Sequence, residues 1–241
     1  MDEKIFNRVE KKYLITKAQK NLIVKELKEH TLKDEYFKSG VFNIYFDTDN
    51  YDLIIQSIDH PVFKEKLRAR SYEGYDKVFF EIKTKILGPE ENVGYKRRVL
   101  VTHQDYDDLI SGRTNMLELA NRNIEKASDL QIAKEIDYFI KHFDLKPKIL
   151  VYYNRESYKG DNSLRITFDQ KLKYRADDLN FNKKSSDKTL FKNDKNIIME
   201  IKASSILPLW LVKILSNQKM YPERFSKIGK VYEQVRKEQD V

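Results

Sequence analysis

The chain has 241 residues and a formal net charge of +8, a balance that favours an anionic partner: a nucleic acid, a phosphorylated small molecule, polyphosphate or an anionic membrane surface. It has no cysteine, which excludes disulfides and thiolate metal sites, and its seven glycines leave little room for a phosphate-loop or dinucleotide-binding pattern. The N-terminal MDEKIFNRVEKKY has no apolar signal core. The most apolar stretch, SSILPLWLVKIL, is short and interrupted by Pro208 and Lys213, so a cytoplasmic protein with no membrane span is expected.

Taken in chain order, Arg8 to Ile15 alternates as a strand, with Arg8, Glu10 and Lys12 on one face and Val9 and Tyr13 on the other. Thr16 reads as the N-cap of a helix reaching about His30, with an apolar stripe of Ala18, Leu22, Ile23 and Leu27. A strand over Val41 to Asp47 follows. In VFKEKLRARSY, Lys64, Lys66, Arg68 and Arg70 stand at every second position, so an extended strand puts four cations on one face. Like charges along a strand repel, and both a solvated face and an anion site account for them. An EGYD turn leads into Lys77 to Lys85, where Val78, Phe80 and Ile82 oppose Phe79, Glu81 and Lys83.

Tyr95 to Val101 is a further strand whose inward face the pattern leaves open, with Lys96 and Arg98 on one side and Arg97, Val99 and Val101 on the other. His103 to about Phe143 reads as helical, closed by Pro147. Lys148 to Tyr158 and Leu164 to Lys171 form a hairpin across KGDNS. Phe181 to Asn196 is polar and lysine-rich and reads as a mobile loop, Ile197 to Ala203 as the last strand, and helices follow Ser204 and Glu223. The sequence has no repeat of fixed period and no Pro- or Ser-rich linker, so a single domain over 1–241 is expected. None of His30, His60, His103 and His142 has metal-ligand spacing, and no RNA-binding aromatic motif occurs, so no nucleic-acid partner is expected.

An antiparallel sheet wrapped by helices turns its apolar face outward and leaves its charged face lining an interior. An open sandwich with a solvated charged face explains each strand separately. In order along the chain stand R-x-E-x-K-Y (Arg8, Glu10, Lys12, Tyr13), YFDT, KEKLRARSY, FFEIKTK, YKRR, YYNRESY, LRITFD, MEIK and RFSKIGK. Together, from about Arg8 to Lys230, they resemble the VTC-type polyphosphate polymerase domain of the triphosphate tunnel metalloenzymes, a CYTH-like superfamily.

The resemblance implies an α+β fold: an eight-stranded antiparallel tunnel with a polar interior, surrounded by helices. It implies a nucleoside triphosphate, polyphosphate or pyrophosphate as ligand, with Mn²⁺ or Mg²⁺ as cofactor, and transfer of a terminal phosphoryl group to polyphosphate. A triphosphatase and a non-catalytic polyphosphate-binding module are the alternatives, and the oligomeric state is left open. By the same resemblance Lys12, Arg68, Arg70, Lys83 and Lys227 are candidate catalytic residues, and Arg8, Lys66, Lys96, Arg98, Arg155, Arg165 and Lys202 bind phosphate. Glu200 is the metal-binding glutamate, and Glu10 is a second candidate ligand. Glu10, Glu81 and Asp169 share the charged parity, which suits a metal contact or the orienting of a lysine, while a structural ion pair is the plainer reading of each. Tunnel hydrolases of the CYTH type begin E-x-E-x-K, whereas Arg8 stands first here, which favours the VTC-type branch.

Overall fold

The computed structural model describes residues 9–59, 62–88, 92–123, 127–191, 196–204 and 206–239. The first elements are β1 (Val9–Ile15), α1 (Lys17–His30), β2 (Thr31–Asp47), α2 (Asp52–Asp59), β3 (Phe63–Tyr72), β4 (Lys77–Leu87) and β5 (Asn92–Thr102). Three helices follow, α3 (His103–Ile110), α4 (Met116–Asn123) and α5 (Ala127–His142). The chain continues as β6 (Lys146–Gly160), β7 (Arg165–Arg175), β8 (Lys188–Thr189), β9 (Ile197–Ala203), α6 (Leu209–Asn217) and α7 (Lys227–Gln239). The fold is α+β, with an antiparallel sheet of nine strands and seven helices among the described residues. That is one strand more than the sequence suggests, because the two-residue β8 pairs with β7.

The chain divides into two compact units. The first comprises Met1–Gly40, Tyr153–Lys173 and Thr189–Lys227, with strand order β1-β9-β7-β6-β2. Helix α1 starts where Thr16 Oγ1 accepts from the Gln19 amide at 3.2 Å and Gln19 Oε1 accepts from the Thr16 amide at 2.9 Å, a reciprocal cap that satisfies two otherwise orphaned donors. Its Ile23 and Leu27 pack with Tyr13, Ile15, Ile166, Phe168, Met199, Ile201 and with Leu211 and Leu215 of α6. Each such side chain contributes about 1.5–3 kcal/mol on leaving water. Alternation then obliges Arg165, Thr167, Asp169, Glu200 and Lys202 to the opposite face.

The second unit comprises Val41–Tyr152, Tyr174–Lys188 and Ile228–Val241, with order β6-β2-β3-β4-β5. Leu67, Ala69, Val78, Phe80, Ile82, Val99 and Val101 form one face of its sheet and pack on Tyr106, Met116 and Ile136 of α3, α4 and α5. The ambiguity at β5 is thereby resolved: Val99 and Val101 are in the core, and Lys96 and Arg98 take the charged face. Helix α2 buries Leu53, Ile54 and Ser57 and is anchored by buried Asp47, whose carboxylate accepts from the Leu53 and Ile54 amides at 2.9 Å each. The long helical block is three helices, and Pro147 lies inside β6, beyond the end of α5.

The stretch read as a mobile loop is tied together as far as Asp187. Arg175, 3% exposed, donates to the carbonyls of Asp178, Asn180 and Asn182 and, at 2.8 Å, to Asp187 Oδ1. That buried guanidinium acts together with apolar anchors that the composition understated: the Phe181 ring packs on Tyr106, 4.8 Å between centroids, and Leu190 is buried. Residues 192–195 lie outside the described residues. No helix is long and apolar enough to cross a membrane among the described residues.

Candidate functional site

In the second unit, strand register sets the charged groups in rows. Lys66 pairs with Lys83 and Lys83 with Lys96; one step along, Arg68 pairs with Glu81 and Glu81 with Arg98. Glu81 is 1% exposed. Its Oε2 accepts from Arg68 Nε at 2.7 Å, and its Oε1 accepts from Lys96 Nζ at 3.3 Å. Arg70 Nε stands 3.9 Å from Glu81 and donates at 2.8 Å to Asn43 Oδ1, while the Asn43 amide nitrogen donates to the Val151 carbonyl at 3.2 Å. Arg98 lies over the Phe79 ring, 4.7 Å from its centroid. Burial would raise the Glu81 carboxyl, but Arg68, Arg70 and Lys96 overcome it and bring it down to about 2. Glu81 therefore acts as the hub that aims three cations.

The first unit is built differently. Register places Lys12 opposite Glu200 and Glu200 opposite Thr167; the neighbouring row is Glu10, Lys202 and Arg165. Behind them Asp169, whose side chain is 0% exposed, accepts from Arg155 Nε and Nη2 at 2.7 and 2.8 Å and pairs with Lys227 Nζ at 2.7 Å. The Tyr153 ring lies 5.3 Å from the Arg155 guanidinium and 4.9 Å from the Lys227 ammonium. Burial pushes the Asp169 carboxyl up and the two cations more than reverse it; Lys227 is raised because Asp169, Tyr153 and Glu200 outweigh its own burial.

Lys202 Nζ sits 2.9 Å from Glu200 and 3.6 Å from Glu10, and Lys12 Nζ is 3.4 Å from Glu10 while donating to the Phe225 carbonyl at 3.3 Å. The Glu200 side chain is 12% exposed; burial raises its carboxyl, and Lys202, Lys227 and Lys12 hold it well below the ordinary range. Arg165 pairs with Asp34 at 2.7 Å and donates to Ser157 Oγ at 3.1 Å, and that hydroxyl in turn donates to Asp34 at 3.0 Å. A cavity of about 30 Å³ opens between Arg155, Arg165, Thr167, Glu200 and Lys202.

Of the residues singled out from sequence, Glu10, Lys12, Arg155, Arg165, Glu200, Lys202 and Lys227 gather in the first unit. Lys66, Arg68, Arg70, Lys83, Lys96 and Arg98 share the charged face of the second. Arg8 lies outside the described residues. Asn43, the hydrogen-bond acceptor of Arg70, and Asp34, the ion-pair partner of Arg165, carried no signal, since each meets its arginine only through long-range pairing. Thr167 could have been noticed from its parity with Arg165 and Asp169 in LRITFD.

Among the described residues no three His, Cys, Asp or Glu side chains form a metal cluster. Glu10 and Glu200 nevertheless converge on one cation, the Lys202 ammonium. Two carboxylates with no nitrogen or sulfur donor suit a hard divalent ion such as Mg²⁺ or Mn²⁺, which completes its shell with water and phosphate oxygens. The chemistry of the donor set therefore fits.

The VTC domain family model matches residues 7–236. Among solved structures, the chain is similar to a putative adenylyl cyclase from Hippeastrum described as having a dominant triphosphatase activity, at 15% identity and a TM-score of 0.52, covering 92% of this chain and 93% of that one. A protein from Pyrococcus horikoshii matches at 15% identity and a TM-score of 0.48, covering 95% and 99% of the two chains. A putative adenylate cyclase from Vibrio parahaemolyticus matches at 11% identity and a TM-score of 0.46, covering 95% and 98%.

Proposed function

The chain belongs to the VTC domain family, and on that premise we propose that it binds triphosphate or polyphosphate with a divalent metal and transfers the terminal phosphoryl group of a nucleoside triphosphate to polyphosphate. The observation that carries the reading is the pair of carboxylates, Glu10 and Glu200, sharing one cation beside Arg155 and Arg165. Phosphoryl transfer needs in-line positioning and charge neutralisation more than a covalent nucleophile.

In this reading a terminal oxygen of polyphosphate forms the new P–O bond, the bond from the terminal phosphorus to its bridging oxygen breaks, and the nucleoside diphosphate leaves with the electron pair. Glu200 and Glu10 would hold Mn²⁺ or Mg²⁺, which when bound neutralises phosphate oxygens. Arg155 and Lys227, oriented by Asp169, and Arg165, oriented by Asp34 and Ser157, supply donors to phosphate. Lys12 and Lys202 add compact positive charge. The row of Lys66, Lys83 and Lys96, the row of Arg68 and Arg98, and Arg70 one step beyond it bind phosphate in the second unit.

A triphosphatase reading replaces the acceptor with water and uses the same grip on the donor; the activity described for the Hippeastrum protein favours keeping it in view. Incubation with ATP and Mn²⁺ or Mg²⁺, resolving polyphosphate from free phosphate, separates the two. Accumulating polyphosphate is expected, with a loss of about 100-fold or more in Glu200→Gln and Arg68→Ala. Free phosphate alone makes the protein a triphosphatase. Binding of polyphosphate without turnover makes it a binding module, and absence of binding overturns the proposal.

A further inference from the structure

Thr167 is 6% exposed, and its hydroxyl Oγ1 has no hydrogen-bond partner. Buried hydroxyls are almost always paired, because a donor withdrawn from water and left unsatisfied destabilises the fold. Thr167 lies on the charged face of β7, in register with Glu200, and is one of the residues lining the cavity formed with Arg155, Arg165, Glu200 and Lys202. At about 30 Å³ that cavity admits an oxygen-sized group, which needs only about 10–15 Å³.

The surroundings define which oxygen fits. A threonine hydroxyl has one proton to donate. Three of the other four lining side chains are cations, and the fourth, Glu200, already accepts from Lys202 at 2.9 Å. An anionic oxygen satisfies the hydroxyl and both guanidinium groups together, whereas a cation there would face Arg155, Arg165 and Lys202. We infer that the Thr167 hydroxyl donates a hydrogen bond to an oxygen of a phosphate group seated in this cavity, making Thr167 a ligand-binding residue left unpaired in the unliganded fold. The inference rests on the phosphate-binding reading above and names a contact within it.

Thr167→Val keeps the side-chain shape and removes the donor; Thr167→Ser keeps the donor. Binding of inorganic tripolyphosphate is measured by calorimetry, once with EDTA and once with Mn²⁺, together with the thermal midpoint of each unliganded variant. Thr167→Val is expected to bind about tenfold more weakly in both conditions, with Thr167→Ser within about threefold of the parent. The unliganded midpoint of Thr167→Val should not fall, because no native hydrogen bond is lost.

Unchanged affinity in Thr167→Val overturns the inference. So does a penalty seen only with Mn²⁺, which would put the hydroxyl on the metal, or a lowered midpoint with unchanged affinity, which would make its role structural. Should Thr167→Val fail to fold, Thr167→Ala reads the same loss of donor. If the parent protein binds no tripolyphosphate, the functional proposal fails first and the inference with it; if the parent binds and the variants match it, only the inference fails.

Discussion

Glu81 in the second unit and Glu200 in the first are both glutamates on the charged face of a strand, both held ionised by neighbouring cations, yet they are built for different work. Glu81 is 1% exposed, with Arg68, Arg70 and Lys96 arranged around it. Glu200 is 12% exposed, lines a cavity and shares its nearest cation with a second carboxylate. In the first unit the counterpart of Glu81 is Asp169, fully buried behind the cavity and holding Arg155 and Lys227. On each charged face a buried carboxylate aims the cations, and Glu200, left nearer the surface, is the one that lines a cavity.

Removing the buried hub has the largest expected effect. Asp169→Asn leaves Arg155 and Lys227 without their counter-charge, and a loss of about 3–5 kcal/mol in urea denaturation is expected. A loss near zero would show that Asp169 is no hub. Glu81→Gln should cost somewhat less, about 2–3 kcal/mol, because Arg70 keeps Asn43 and Lys96 reaches solvent.

The pH dependence of Glu81→Gln sharpens the assignment. The Glu81 carboxyl is lowered from an ordinary value of 4.5 to about 2, so its stabilisation is full above pH 4.5 and disappears as pH falls through about 2. The gap between parent and Glu81→Gln should therefore be constant at neutral pH and close on acidification. A gap that persisted at pH 2 would mean that the side chain stabilises by packing instead of charge. The smallest effect belongs to Lys96→Met: its side chain is 46% exposed, and a change below about 1 kcal/mol is expected. A larger loss would show that the Lys96 contact with Glu81 stabilises as strongly as those of the arginines.

Much of each charged face was legible. The alternation of Leu67 and Ala69 with Lys66, Arg68 and Arg70, and of Ile166 and Phe168 with Arg165, Thr167 and Asp169, fixes which side chains leave the core together, because successive residues of a strand point to opposite faces. Ile197 to Ala203 emerges with the bounds that its pattern gave, and the cap at Thr16 is made by the residue that its chemistry marks. Less was legible where distant contacts set an element's bounds. Strand β2 begins at Thr31, ten residues before its apolar alternation, and α2 depends on Asp47 capping it from the end of a strand.

By itself the sequence determined the faces: backbone geometry of period two is local, and it requires only that apolar and charged residues alternate. Partners were decided by tertiary structure alone. Lys12 meets the Phe225 carbonyl across a sequence separation of 213, and Arg165 meets Asp34 through the pairing of distant segments. The same is true of burial. Glu81, Asp169 and Glu200 share parity and charge in sequence, and only the depth to which packing carries each one separates a structural hub from a candidate metal ligand. Desolvation depends on every neighbouring element, which no local pattern encodes.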